Sequence, residues 1–438
     1  MCYKNQQGVY KSVETGGRWV KKYKILCILC CVLLTSCQNT STVVKPINEV
    51  ITIPAVFLVN PETNQSIHKK IVEEFNEAYK GQYCVEAEWL TDTEAGYRNK
   101  IKQLNALDEM PAIITDVGFD SDFNELLIQK ERLVDLKPYI QNSKEWLGAM
   151  QEDILKACTE DDGSIYLSSL GNPVHSYAGF VYNKELLKRA GVERFPKTWE
   201  EFWECLDKLK ECGITPLALH GSGTYWVPML IATSYISGTP EGMNFLKQKF
   251  PDDYAGDSFK QILQMLKKLF LYTYDDALDI EYAQAEQRFL NNQAAIIANG
   301  YWINIQMDEQ SKEKFGFAAF PQNTLMVSPR MSAWAVTAGY DKKVTDGAVK
   351  FLEFRVLRDQ KESQQFLGKQ KNSIFDFEYK QSVKEVKNII PNYQINWEQK
   401  IQNEFFTENL PFYIRNEVSE ENILVMLNQL VSELKSEK

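Results

Sequence analysis

The chain has 438 residues, 44% of them hydrophobic and 25% charged, so it is long enough for two cores and too apolar for a disordered polymer. Its formal net charge is −10. A surface of that sign repels nucleic acid and anionic lipid, which excludes both as expected partners.

Lys21, Lys22 and Lys24 precede an apolar run from Ile25 to Leu34. A basic stretch followed by a short apolar one is the pattern of a secretory signal. The run falls short of the roughly 20 residues a membrane-spanning helix needs. It ends in Leu34-Thr35-Ser36-Cys37. That tetrad resembles the bacterial lipobox, which implies that residues 1–36 are removed and that Cys37 carries a lipid. An ordinary signal with an incidental cysteine is the plainer alternative. The long stretch before Lys21 leaves open where translation starts. Loss of residues 1–36 removes six basic and one acidic side chain, leaving 43 basic against 58 acidic residues, a net of −15. Residues 37–49 then read as a polar tether.

Cys84, Cys158, Cys205 and Cys212 remain beyond the anchor. Cys205 and Cys212 fall two turns apart on one expected helix, about 10 Å, beyond disulfide reach. The three histidines, His68, His175 and His220, have no metal-ligand spacing, so no metal or cofactor is expected.

Val50–Val59 reads as a buried strand, with Pro54 marking a bulge or an edge. Apolar residues at Ile67, Ile71, Phe75 and Ala78 have helical spacing. YCVEAEWL (83–90) alternates as a second strand, a helix follows over 97–110, and PAIITDV (111–117) is a third short strand. This β-α-β-α-β order implies a parallel sheet with helices on its faces. SYAGFVYNK (176–184) is a further strand, with helices over 185–190 and 199–211. Thr198 and Glu201 form a capping-box pair and Gly213 closes that helix. TPLAL (215–219), the end of AEQRFLNNQAAIIANGYW (285–302), FGFAAFP (315–321) and SAWAVTA (332–338) read as strands. A helix over 345–358 and a mostly helical C-terminal third complete the pattern.

Five segments carry a resemblance in register. They are Gly179 to Leu219, with Tyr182-Asn183-Lys184, Ala190-Gly191, Pro196-x-Thr198-Trp199 and Gly213-Ile-x-Pro216; the 283–302 stretch; FGFAAFP; SAWAVTAGYDKKVTDGAVKFLEF; and, upstream, ERLVDLKPYI. Together they resemble the extracellular solute-binding proteins of ABC sugar importers. In ERLVDLKPYI, Arg132 stands where that family carries a small residue. The resemblance implies a two-lobed α/β fold of the periplasmic-binding-protein type, each lobe a mostly parallel sheet flanked by helices. It implies lobe 1 as residues 50–173 plus 335–373 and lobe 2 as 174–334 plus 374–438. The chain then crosses near Val174–Tyr177, Met331–Ala335 and Asn372–Phe375. The implied partners are a carbohydrate, the transmembrane subunits of an ABC permease, and the membrane through the Cys37 lipid.

A sugar offers C–H faces to aromatic rings and hydroxyls to carboxylates and amides. Tyr301 and Trp302 follow a glycine at a strand end, the rim where open α/β sheets bind ligands. By the resemblance, Trp302 is the leading stacking residue, with Trp334, Trp226, Tyr177 and Tyr301 as further candidates. Asp116 is the leading expected hydroxyl partner, with Asp120 and Glu62 behind it, and residues of this kind are more often simply turn or cap residues. Ser176 stands where the family often has an acid, which leaves the particular sugar open. Trp199 and the Tyr182-Asn183-Lys184 turn read as architectural. EDDG (160–163) reads as a hairpin turn in preference to a calcium loop.

No catalytic residue is expected. Gly221-Ser-Gly223 lacks the spacing of a nucleophile elbow, and no phosphate-binding loop is complete. Two alternatives stay open: a surface carbohydrate-active hydrolase, which needs a carboxylate pair about 5–10 Å apart, or the same fold holding a polyamine or peptide. A sensory role is equally compatible with the sequence.

Overall fold

The computed structural model describes residues 49–59, 65–91, 94–115, 121–160, 162–169, 177–222, 224–246, 248, 256–327, 333–369, 372–392 and 398–436. The leader, Cys37, nearly all of the tether, Glu62, Asp116 and Asp120 lie outside them, as do parts of the first two expected crossings. Among the described residues the strands are β1 (Ile51–Leu58), β2 (Tyr83–Leu90), β3 (Ile113–Ile114), β4 (Ala178–Asn183), β5 (Ile296–Gly300), β6 (Phe315–Ala318), β7 (Thr324–Val327), β8 (Ala335–Val336) and β9 (Asn388–Pro391).

The first sheet has the order β2-β1-β3-β8. β1 pairs in parallel with β2 over its whole length and with β3 at Ala55 and Val56, and β8 closes the edge antiparallel to β3. Successive side chains of a strand point to opposite faces, and here both faces are covered. Ile53, Ala55 and Phe57 pack with Val72 and Phe75 of the Gln65–Ala78 helix and with Phe351 and Leu352 of the Lys342–Gly368 helix. Val56, Ile114 and Ala335 turn the other way, onto Tyr97 and Ile101 of the Glu94–Ala106 helix. Pro54 marks no bulge, because the register of β1 with β2 is unbroken, but on the β3 side it lies before the pairing starts, a locally unpaired edge of an otherwise central strand. The position tolerates proline for a local reason. The Ile51 and Val59 amides donate across to Gln82 and Leu90 on the β2 side, while Leu58 N–H turns to Thr115 on the β3 side. Alternation therefore aims the missing amide of Pro54 at the β3 side, just before that pairing begins at Ala55.

The second sheet has the order β5-β4-β7-β9, with β6 also against β4. It departs from the expected mostly parallel pairing. β5, β6 and β7 all run antiparallel to β4, and only β9 pairs in parallel, with β7. The TPLAL stretch makes one parallel bridge, Leu217 to Ile296, and does not extend into a strand. Asn183 ends β4 and caps the following helix by accepting from the amides of Glu185 and Leu186, both at 3.1 Å. Thr198 and Glu201 form the capping box read from the sequence. Trp199, part-buried, packs edge-on against Phe202 and Tyr235 at the border of this half's core.

The Lys342–Gly368 helix is much longer than the apolar spacing alone foretold. At 27 residues it spans about 40 Å. Asp341 caps its start, Arg358 and Glu362 pair along it at 2.8 Å, and Phe366 near its end meets Tyr301 at 5.2 Å. One face of this helix thus packs on the first sheet while its last turns reach the second core.

Trp334 lies in the first core and is 4% exposed. Phe351 stacks on it at 5.8 Å, the Arg355 guanidinium lies 4.0 Å from the ring centre, and Phe57 meets it edge-on at 5.1 Å. Its backbone pairs with Ser168 in both directions. Trp334→Ala removes a packed indole and uncovers a buried guanidinium, so urea unfolding should show a loss of about 3–5 kcal/mol.

Candidate functional site

The site is built at the end of β5. Gly300 terminates that strand and Trp302 follows in a turn of 3-10 helix, Tyr301–Gln306. The backbone of Gly300 is ordinary, so the glycine is there for space. A Cβ on Gly300 would fall 1.9 Å from Cζ3 of Trp302, because the indole lies back across the strand end. Trp302 is 39% exposed, the one tryptophan among the exposed large apolar side chains of the described residues. Part of the ring is held against the Gly300 backbone and part is open to solvent.

Trp226 opens the Trp226–Ile236 helix and meets Trp302 at 6.2 Å with the rings inclined by 48°. Tyr282 lies behind Trp226 at 4.6 Å and 52°. The three rings therefore make an angled corner. A pyranose can lie on one ring of such a corner while its edge abuts the next.

Beneath the corner is a buried polar network. Glu286 is 3% exposed and follows Tyr282 by one helical turn. The Tyr282 hydroxyl donates to Glu286 Oε1, Asn299 Nδ2 donates to the same oxygen at 3.3 Å, and Gln306 Nε2 donates to Oε2 at 2.6 Å. Asn299 also donates to the Tyr282 hydroxyl at 3.0 Å and accepts from the Gly300 amide at 2.8 Å. Burial pushes the Glu286 carboxyl up, and the donors from Tyr282, Gln306 and Asn299 pull it back. The network thereby ties the strand end, the 3-10 turn and the helix bearing Tyr282 to one carboxylate.

His220 completes the layer, 6.1 Å from Trp226 and 5.8 Å from Tyr282. It is wholly buried and neither ring nitrogen has a hydrogen-bond partner among the described residues. Burial holds its pKa at about 4, below the ordinary 6.5.

Among the candidates named from sequence, the structure brings together Trp302 and Trp226. Tyr301 points the opposite way from Trp302. It is 5% exposed, donates to Asp376 at 2.6 Å and stacks on Tyr379 at 4.1 Å and Phe375 at 5.7 Å. Tyr177 is 2% exposed, and its hydroxyl donates to Gln151 at 3.1 Å. Trp334 has both faces covered, as described above. These three are corrected to core positions, because side chains from elsewhere in the chain cover them: Phe351 and Arg355 on Trp334, Gln151 on Tyr177, and Asp376, Phe375 and Tyr379 on Tyr301. Glu62 and Asp116 fall in stretches outside the described residues that follow β1 and β3, and Asp120 lies in the second of these. Tyr282, Glu286, Asn299, Gln306 and His220 were missed. The i,i+4 spacing of Tyr282 and Glu286 was the one local sign.

Residues 70–370, more than half of the chain, match the family described as bacterial extracellular solute-binding protein, and the chain belongs to that family. Over 133 residues, 30% of this chain and 31% of the relative, it is 35% identical to a probable sugar-binding periplasmic protein of Rhizobium meliloti (strain 1021). The chain thus aligns with under a third of the length of the curated relatives it matches. Among solved structures, a chitin oligosaccharide binding protein superposes with TM-score 0.70 at 19% identity, covering 88% of this chain and 98% of that one. A Streptococcus pneumoniae solute-binding protein in complex with the blood group A-trisaccharide superposes with TM-score 0.68 at 15% identity, covering 88% and 100%. These likenesses establish the two-lobed periplasmic-binding-protein-like fold. Among the described residues, no helix is long and apolar enough to cross a membrane.

Two outcomes follow from the geometry. Gly300→Ala must displace the Trp302 ring, so calorimetry should show binding of the cleft solute weakened about tenfold while the fold persists. His220 has a folded pKa below its unfolded value, so its contribution to stability is complete above pH 6.5 and is lost as the pH falls toward 4. The loss is on the order of 3 kcal/mol, and His220→Phe should flatten the urea-stability profile between pH 7 and 5.

Proposed function

We propose that this protein captures a neutral carbohydrate between its two lobes and delivers it unaltered to the transmembrane subunits of an ABC importer. The carrying observation is the Trp302–Trp226 corner: a part-exposed indole laid over a glycine, with a second ring inclined beside it. Flat apolar rings over a hydrogen-bonded base suit a ligand with C–H faces and a hydroxyl edge. The family membership, the sugar-binding name of the Rhizobium relative and the oligosaccharide-binding names of the two superposed structures support the same class.

In this reading, lobe 1 comprises residues 50–173 plus 335–373 and lobe 2 comprises 174–334 plus 374–438, with Ala333 and Trp334, at the crossing, already packed in the first half. Glu62, Asp116 and Asp120 supply hydroxyl contacts from the opposing rim. Closure about the three crossings buries the sugar and presents the closed form to the permease. Cys37 carries the lipid that holds the protein on the outer face of the membrane. The chain performs no chemistry of its own.

The test is a calorimetric panel of mono- and oligosaccharides, with polyamines and peptides as comparison ligands, on the protein lacking residues 1–36. Saccharide binding should weaken by about 1–3 kcal/mol in Trp302→Ala. Unchanged affinity in a folded Trp302→Ala variant removes this corner from the site. Binding of a polyamine or peptide in place of sugar changes the ligand class, and new products on chromatography overturn the non-catalytic reading.

A further inference from the structure

A second concave site lies on the first-sheet half, far from the Trp302 corner. Its volume is about 410 Å³, within the range of small-molecule sites. Tyr79, Tyr83, Tyr139 and Trp146 line it, and Asp346 and Glu353 lie along its edge. We propose that this is a second binding site for a neutral saccharide unit.

Position separates it from the cleft. Tyr83 begins β2 and pairs with Ile51 at the start of β1, whereas the ligand rim follows Leu58 and Leu90 at the far ends of the same strands. The strands have eight residues, so the two ends are about 25 Å apart. Gln82, beside the site, accepts from the Ile51 amide, so the site lies where the chain enters the sheet from its N-terminal side.

The chemistry selects the ligand class. Three part-exposed tyrosines in one concavity, Tyr79, Tyr83 and Tyr139, supply surface for C–H contacts. The charges on the edge cancel locally. Lys342 holds Asp346 at 2.6 Å, Lys350 holds Glu353 at 2.6 Å, and the Ser143 hydroxyl donates to the other Glu353 oxygen, also at 2.6 Å. Paired charges disfavour an ionic ligand yet leave acceptor lone pairs for hydroxyls. Trp146, 1% exposed, lies in the floor of the concavity behind these tyrosines, so its indole reports on the site without itself being open to the ligand. No hydrogen bond among the described residues engages the hydroxyls of Tyr79, Tyr83 or Tyr139, which stay available to the same ligand.

The inference does not depend on which solute the cleft takes. Its test follows the indole N–H resonances of Trp146 and Trp302 by NMR during titration of the protein lacking residues 1–36 with maltose, cellobiose and N,N′-diacetylchitobiose. Each resonance is assigned from its Trp→Phe variant and reports its own site. The Trp146 resonance should move with one of the disaccharides, and its midpoint should rise about tenfold in Tyr139→Ala and about threefold in Asp346→Ala, with the Trp302 response unaltered. Asp346→Ala, on the outer edge, keeps the test open should Tyr139→Ala fail to fold. A Trp146 resonance that stays fixed at about 100 mM of every disaccharide, or moves with the same midpoint in both variants, overturns the proposal.

Discussion

A single buried carboxylate organises the candidate site. Glu286 collects hydrogen bonds from Tyr282, Asn299 and Gln306, which come from a helix, a strand end and a 3-10 turn. An unpaired buried carboxylate is costly, so these donors are held firmly in place. Asn299 then fixes Gly300 through its amide, and Gly300 gives Trp302 room to lie back. The stacking surface is thus set by polar groups that a ligand need never touch.

The two halves are joined by packing as well as by chain crossings. The Lys342–Gly368 helix covers one face of the first sheet and carries Phe366 to Tyr301 in the second core. Tyr301 is the immediate neighbour of Trp302 and is locked by Asp376, Phe375 and Tyr379. A shift of this helix against the second core would therefore be felt at the rim within one residue. Arg355, buried on the same helix against Trp334 and bonded to the Ser168 carbonyl, fixes the other end of the lever.

Much of the architecture was legible in the sequence because local signals are strong there. The alternation of β1 sorts Ile53, Ala55 and Phe57 from Val56 onto two faces, and the Thr198–Glu201 box marks a helix start that the structure keeps. Strand direction in the second sheet was not legible, since β4 meets three antiparallel neighbours through contacts distant in sequence. The site divided similarly. Gly300 before Trp302 is a local sign and it pointed correctly to an exposed ring. Trp334, Tyr177 and Tyr301 carry similar local signs, yet Phe351, Gln151 and Asp376 bury or bind them from positions that no periodicity reveals. Glu286 and His220 matter through what surrounds them, and that is a property of the fold.

The most direct test of this account is a crystal structure of the protein lacking residues 1–36 with the tightest-binding saccharide of the panel. The account requires a sugar ring in van der Waals contact with the open face of Trp302, beside Trp226, with Glu286 still bonded beneath. A saccharide seated in the cleft while Trp302 remains bare would contradict it.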